Sequence, residues 1–116
     1  MSDNREFVNH IADLLESFGS VEAKHMFGGF GIFHAGLMIG LISDGSLYLK
    51  ADDTTRSLFE EQGMTRFSYF KKDKEYFLSY YLAPEAFFEN EDDTVRWATL
   101  AYDAALRAPK KKKAKK

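Results

Sequence analysis

The dipeptide Asp44-Gly45 constrains the fold of this chain more than any other feature of its sequence. It lies between two runs, residues 37–43 and 46–51, in which apolar residues recur at every second position. A two-residue type I′ turn needs positive φ at both central positions, and Asp-Gly adopts this conformation readily. We therefore predict two antiparallel strands joined by a tight turn, with Leu37, Ile39 and Leu41 on one face.

The flanking sequence predicts further strands and helices. Apolar residues at helical spacing predict helices at residues 3–18, 54–62 and 92–107, and Pro84 begins a short helix. Strands are predicted at residues 21–27, 30–35, 37–43, 46–51, 66–70 and 76–82. Because short turns join most of the strands, we predict an α+β fold in two layers. Helices from the N-terminus, the middle and the C-terminus pack on a mostly antiparallel sheet of about six strands.

The length and residue content suggest a small cytoplasmic domain. The chain has 116 residues and no cysteine, so disulfides and thiolate metal sites are excluded. Its first residues are polar and are followed by no apolar segment typical of a signal peptide. The longest apolar stretch, residues 36–42, is far shorter than the roughly 20 residues that span a bilayer. We expect a cytoplasmic protein without membrane insertion.

Charge is distributed unevenly along the chain. Residues 1–108 carry 10 basic and 18 acidic side chains, a net charge of −8, and six lysines follow Pro109. We predict one folded domain at residues 1–108 and a disordered lysine-rich tail at 109–116, which includes Lys110, Lys111, Lys112 and Lys113. The tail is expected to contact nucleic acid or an anionic membrane surface weakly, or to act only as a solubilising segment.

The glycine-rich segment Phe27-Gly28-Gly29-Phe30-Gly31 allows two interpretations. Its backbone amides, next to Lys24, are able to cradle a phosphate or another small ligand. However, no Gly-Lys-Ser/Thr follows, and the flanking segments are strands rather than a strand and a helix. A tight turn packed beneath an aromatic ring requires the same residues, and we favour this structural interpretation.

Catalytic and metal-binding patterns are weak. His10 and Asp13 share one face of the first predicted helix, and His25 and His34 lie on neighbouring strands where they could meet. Neither pair completes a metal site. The carboxylate pairs Asp52-Asp53 and Asp92-Asp93 precede or begin helices, where capping and the helix dipole explain them. We therefore expect no enzymatic activity, no cofactor and no metal.

The second predicted hairpin interleaves aromatic residues with Lys71, Lys72 and Lys74 at its turn, residues 71–75. Single-stranded nucleic acid is often bound in this way, with bases stacked on rings and phosphates paired with lysines. Alternating aromatics are also ordinary in a sheet core, and lysines are ordinary at a solvated turn. The acidic charge of the domain favours the structural interpretation.

Taken together, the segments resemble the N-terminal domain of the TfoX/Sxy family. The resemblance covers roughly residues 5–107, and its best marker is Met26-Phe27-Gly28-Gly29. The other matching segments are Lys24-His25, Phe30-Gly31-Ile32, residues 44–50, Phe67-Ser68-Tyr69, Ser79-Tyr80-Tyr81, Pro84-Glu85 and residues 97–107. Lys24 stands where we expect arginine in the family, and family regulators carry a second, C-terminal domain where this chain has its lysine tail.

The resemblance implies a non-enzymatic regulator of competence genes that acts as a transcriptional coactivator beside a DNA-bound activator. Our first hypothesis is therefore a protein-interaction domain whose partner belongs to the transcription machinery. The alternative is a small-ligand or phosphate-binding domain, or an enzyme, that uses the Gly28-Gly29 turn. A homodimer formed through a sheet edge or exposed aromatics is a third hypothesis.

Overall fold

The structure is a computed structural model that describes residues 4–26 and 28–108. The predicted tail, its lysines and Phe27 lie outside the described residues. The elements in chain order are α1 (Asn4–Leu14), a 3₁₀ turn (Leu15–Ser17), β1 (Glu22–Met26), β2 (Gly29–His34), β3 (Leu37–Ser43), β4 (Ser46–Lys50), α2 (Arg56–Glu61), β5 (Arg66–Lys71), β6 (Lys74–Leu82), a second 3₁₀ turn (Glu85–Phe88) and α3 (Glu91–Arg107).

The described strands form one six-stranded antiparallel sheet in the order β1-β2-β3-β4-β6-β5. The predicted α+β class and the antiparallel sheet are confirmed. The Asp44-Gly45 turn has φ values of +52° and +74°, the left-handed conformation that its sequence predicts. β6 pairs with β4, and β5, which precedes β6 in the chain, pairs with the outer side of β6 and forms the sheet edge.

The turn of the second hairpin is shorter than predicted. Instead of a five-residue turn at 71–75, the strands extend to Lys71 and Lys74, and Lys72-Asp73 alone makes the connection. Both residues have positive φ, +54° and +65°. The sequence prediction was wrong here because turn chemistry favours glycine in this conformation, and no glycine marks the turn.

The main core lies between the helices and one face of the sheet. Its fully buried residues include Ile11 from α1, Phe59 from α2 and Ala98 from α3, packed on Ile42 and Leu49 from the sheet. Asn90 caps the start of α3, and its side chain accepts a hydrogen bond from the backbone N–H of Asp93 at 2.8 Å. The helices thus form one layer and the sheet the other. No helix in the described part of the chain is long and apolar enough to cross a membrane.

An irregularity in β3 changes which residues face the core. Ile32 of β2 is paired with Gly40, whereas Phe33 is paired with Met38, so Ile39 is an extra residue in β3. Such a bulge places two consecutive residues on one side and reverses the alternation beyond it. Ile39 belongs to the main core, but Leu41 lies in a separate cluster on the other side. The prediction that Leu37, Ile39 and Leu41 share a face was therefore wrong for Leu41.

Candidate functional site

The face of the sheet opposite the helices carries a second apolar cluster. Its buried members are Leu41, Phe67 and Tyr80, and its half-buried members are Met26, Met38, Tyr48, Tyr69 and Leu78. None of these described members comes from a helix, and every helical residue of the core belongs to the main cluster. We call this surface the open face. An apolar surface with no helix on it is typical of a site that another molecule covers.

Aromatic rings form a row across the β4, β5 and β6 side of the open face. The centroid distances are 5.0 Å from Tyr48 to Phe67, 6.4 Å from Phe67 to Tyr69 and 5.6 Å from Tyr69 to Tyr76. Each distance lies in the range in which aromatic pairs attract one another. The rings therefore pack against one another and form a continuous aromatic surface on this part of the open face.

Two lysines extend over rings on the open face. The Lys24 ammonium lies 4.8 Å from the centroid of Phe33, and the Lys50 ammonium lies 5.2 Å from that of Tyr80. Burial lowers the pKa of Lys50, and the nearby charge of Asp52 opposes this change. Strand alternation places Glu22 on the same side as Lys24. In a domain with a charge of −8 over residues 1–108, the cations on this face are a local exception.

Tyr80 sits at the centre of this surface. Burial raises the pKa of its hydroxyl group to about 12, so the group is neutral at physiological pH. The hydroxyl donates a long hydrogen bond of 3.4 Å to the carbonyl oxygen of Met38. The centre of the open face is therefore apolar and uncharged, and its cations lie around that centre.

The glycines beside Phe27 have structural explanations. Gly28 has a φ of +74°, a conformation that residues with a Cβ rarely adopt. A Cβ on Gly29 would overlap the carbonyl oxygen of Ile42 on the neighbouring strand, and a Cβ on Gly31 would lie 2.9 Å from the sulfur of Met26. The turn conformation of Gly28 and the close packing at Gly29 and Gly31 thus give each of these three glycines a structural role. Lys24 lies on β1 with its ammonium over the Phe33 ring.

The histidines occupy separate places. His34 packs between the rings of Phe18 and Tyr102, at 4.7 and 4.9 Å, and its Nδ1 lies 2.8 Å from the carbonyl oxygen of Ser20. His25 is paired with Phe30 across the β1–β2 ladder, so the suggestion that the two histidines meet was wrong. Within residues 4–26 and 28–108, no group of three or more His, Asp or Glu side chains is arranged to hold a metal.

The carboxylate pairs act at helix starts. Asp52 Oδ1 accepts hydrogen bonds from the backbone N–H groups of Thr54 at 3.1 Å and Thr55 at 3.2 Å, just before α2. The Arg107 guanidinium also donates to Asp52, and this bond holds the pKa of Asp52 below its ordinary value. Asp92 and Asp93 lie in the first turn of α3. These contacts fit capping roles rather than general acid–base chemistry.

The predicted lysines Lys71, Lys72 and Lys74 surround the tip of the β5–β6 hairpin and are exposed. The structure does not bring them together with Gly28 and Gly29, which lie at the connection between β1 and β2 on the other side of the sheet. The lysines of the tail lie outside the described residues. The candidate sites from the sequence are thus spread over two sheet edges.

Sequence reasoning missed the open face as a site. Its signal was present, since Tyr48 and Lys50 alternate with the core residues Leu47 and Leu49 in β4. That alternation shows that Tyr48 and Lys50 point away from the helices. The β3 bulge, which places Leu41 beside them, leaves no comparable mark in the sequence.

Comparison with known proteins identifies relatives of this chain. The profile of the TfoX N-terminal domain family matches residues 13–105. The chain is 32% identical over 75 residues to the DNA transformation protein TfoX1 of Aliivibrio fischeri, which covers 65% of this chain and 36% of that protein. It is 26% identical over 95 residues to Protein Sxy of Escherichia coli, with 82% and 46% covered. The chain therefore spans less than half the length of these curated relatives.

Proposed function

Because the chain belongs to the TfoX N-terminal domain family, we propose that it is a non-enzymatic regulatory domain that promotes expression of DNA-transformation genes by binding a protein partner. One relative is named a DNA transformation protein, which supports this choice of process. The partner in this proposal belongs to the transcription machinery or is a DNA-bound activator, and the domain acts beside it as a coactivator.

The open face is the single observation that carries this proposal. It combines an aromatic and methionine surface with Lys24 and Lys50, whereas the domain as a whole is acidic. Protein interfaces typically pair an apolar centre with a charged rim, and complementary charge selects the partner. The partner surface that fits is therefore apolar at its centre and acidic at its edge.

A reporter assay tests the proposal in the organism that encodes this chain. The gene is deleted, and DNA-uptake transcripts are measured after complementation with wild type, Lys24→Glu or Met38→Asp. Arg96→Glu is the matched control, because the Arg96 guanidinium also lies over a ring, 5.4 Å from Trp97, but on the helix side of the domain. Circular dichroism and thermal melting of the purified variants confirm that each one folds.

We expect wild type and Arg96→Glu to restore the transcripts. We expect Lys24→Glu and Met38→Asp to bind the partner about tenfold more weakly, since loss of an interface anchor costs more than about 1 kcal/mol. Their transcript levels fall accordingly. Unchanged transcripts after deletion would reject the regulatory role, and full restoration by both open-face variants would reject this surface. A change from dimer to monomer in Met38→Asp would instead assign the open face to a second copy of the chain.

A further inference from the structure

The outer part of the β5–β6 hairpin, residues 66–77, concentrates the exposed aromatic side chains of the domain. We call this segment the hairpin arm. Five large apolar side chains are exposed among the described residues, and three of them lie on the arm: Phe70 is 70% exposed, Phe77 53% and Tyr76 39%. Monomeric proteins seldom gather large apolar side chains at one exposed place without a binding role.

The register of the two strands arranges these rings on both faces of the arm. Ser68 is paired with Phe77 and Phe70 with Glu75, so Phe70 and Phe77 lie diagonally on one face. The stacked pair of Tyr69 and Tyr76 lies on the other face. Phe70 and Phe77 therefore point away from the open face and are separate from the surface considered above.

Cations lie beside these rings and at the tip of the arm, where strand alternation places Lys71 and Lys74 on the face of Tyr69 and Tyr76. The Arg66 guanidinium lies 5.7 Å from the centroid of Phe77, and Lys71 is paired directly with Lys74 across the strands. Like charges placed directly opposite each other destabilise a hairpin in the absence of a bound anion. Including Lys72, the arm carries four basic and two acidic side chains, whereas the rest of residues 1–108 carries six basic and 16 acidic.

We propose that the hairpin arm binds single-stranded nucleic acid, with bases stacked on Phe70 and Phe77 and phosphates contacted by Arg66 and the tip lysines. Exposed rings beside cations are the combination that binds single strands without sequence preference. An unpaired strand presents free base faces to the rings, whereas the bases of a duplex are already stacked. β5, at six residues, is about 20 Å long, which leaves room for a few nucleotides.

The geometry favours nucleic acid over an acidic peptide. A protein partner typically anchors its apolar side chains in pockets. Phe70 and Phe77 do not line a pocket, because they project from the two strands of the arm. A base needs only a ring face and a nearby cation. The side chain of Glu75 accepts a hydrogen bond from Ser68 Oγ at 2.6 Å, which partly satisfies the carboxylate on this face.

Fluorescence anisotropy with a labelled 20-residue oligothymidylate tests this proposal on the full chain at low salt. The variant Phe70→Ala/Phe77→Ala leaves every charge in place, so any contribution of the lysine tail is the same in both proteins. Matched controls are Phe88→Ala and Leu106→Ala, whose side chains are 37% and 56% exposed and lie outside the arm. Thermal melting checks the fold of each variant.

We expect the double variant to bind at least about tenfold more weakly, because each stacked base contributes substantially to affinity. The two controls bind like wild type. Equal affinity of the double variant and wild type would overturn the proposal, as would equal binding of a duplex of the same length. Binding of poly-glutamate that depends on the same two rings would assign the arm to an acidic protein partner instead. The reporter assay uses other residues, so the two proposals succeed or fail separately.

Discussion

Arg107 and Asp52 form a bidentate ion pair that joins the last turn of α3 to the loop after β4. Arg107 Nε donates to Asp52 Oδ2 at 2.7 Å, and Nη2 donates to Oδ1 at 3.2 Å. The same carboxylate accepts the backbone N–H groups of Thr54 and Thr55. One side chain thus links the turn that precedes α2 to the end of α3, although 55 residues separate the two partners in sequence.

Substitutions at this pair separate the contribution of the ion pair from that of the hydrogen bonds between the Asp52 side chain and the backbone. Asp52→Asn keeps an oxygen that accepts the backbone N–H groups but loses the charge, and Arg107→Gln loses the same ion pair from the other side. Asp52→Ala loses both interactions. We expect Asp52→Ala to destabilise the domain by about 1 kcal/mol more than Asp52→Asn, because Ala leaves the N–H groups of Thr54 and Thr55 without this acceptor. Urea unfolding measures these differences, and equal losses for Ala and Asn would show that the hydrogen bonds from Thr54 and Thr55 to the Asp52 side chain do not stabilise the domain.

The same pair predicts sensitivity to acid. The hydrogen bond from Arg107 lowers the pKa of Asp52 in the folded state below its value in the unfolded chain, about 3.9. The stabilisation is therefore fully present above that pH and is lost as the pH falls through the folded-state value. We expect the free energy of unfolding to decrease below about pH 4 in wild type and to decrease less in Asp52→Asn. Identical acid curves for the two proteins would contradict this role.

The glycine segment offers a test of its structural role. We expect Gly29→Ala to prevent folding or to destabilise the domain severely, because its Cβ overlaps the backbone oxygen of Ile42. Gly28→Ala meets no atom within 4 Å, so only its φ of +74° opposes the change, at about 1–2 kcal/mol. Thermal and urea unfolding rank the two variants. If Gly29→Ala folds normally but loses affinity for a phosphate compound, the ligand-binding alternative replaces the structural one.

Much of the fold was predictable from local signals. Asp44-Gly45 specified a hairpin, and the helical spacing around Ile11 and Trp97 specified helices that pack on the sheet. Two features were not predictable. The Lys72-Asp73 turn has positive φ without a glycine, and the bulge in β3 depends on packing between strands. Both are decided by tertiary context, which outweighs the preferences of single residues.

The sites were predictable only in part. Lysines and aromatics of the hairpin arm stood out in the sequence, but the exposure of Phe70 and Phe77 depends on which part of the sheet the helices cover. The open face required knowledge of which side the helices cover. A pattern of alternating residues shows that a strand has two faces, and only the packed structure shows which face lacks a helix.

Tyr80 predicts a change of stability at alkaline pH. Burial raises its pKa to about 12, above the value of about 10 in an unfolded chain. The folded state keeps this proton longer, so stabilisation is present below pH 10 and is lost as the pH rises through about 12. In a pH titration of the folded protein followed by tyrosinate absorbance, a late phase of the increase should appear only near pH 12. Tyr80→Phe should reduce this late phase. Burial and a hydrogen bond to Glu60 also raise the pKa of Tyr81, so Tyr81→Phe is measured in parallel. A late phase unchanged in Tyr80→Phe would show that this hydroxyl is hydrated.

Trp97 provides a prediction about the core itself. Its ring lies 5.0 Å from that of Phe59, and both side chains are buried. Its Nε1 is a buried donor with no hydrogen-bond acceptor among the described residues. A buried donor without a partner costs about 1–3 kcal/mol, and Phe removes that donor while keeping an aromatic ring. We expect Trp97→Phe to change the free energy of unfolding by less than about 1 kcal/mol, because relief of the unpaired N–H offsets the lost packing.

Phe59→Ala provides the reference for the small change in the free energy of unfolding that we expect from Trp97→Phe. Phe59 has no polar atom in its side chain, so its truncation removes packing alone and should cost about 3–5 kcal/mol. Urea unfolding of both variants at one pH and temperature makes the comparison direct. A cost for Trp97→Phe close to that of Phe59→Ala would mean that the indole N–H is bonded in solution, for example to a buried water. A small cost would mean that the core tolerates an unpaired donor because the indole ring fills the space between α2, α3 and the sheet.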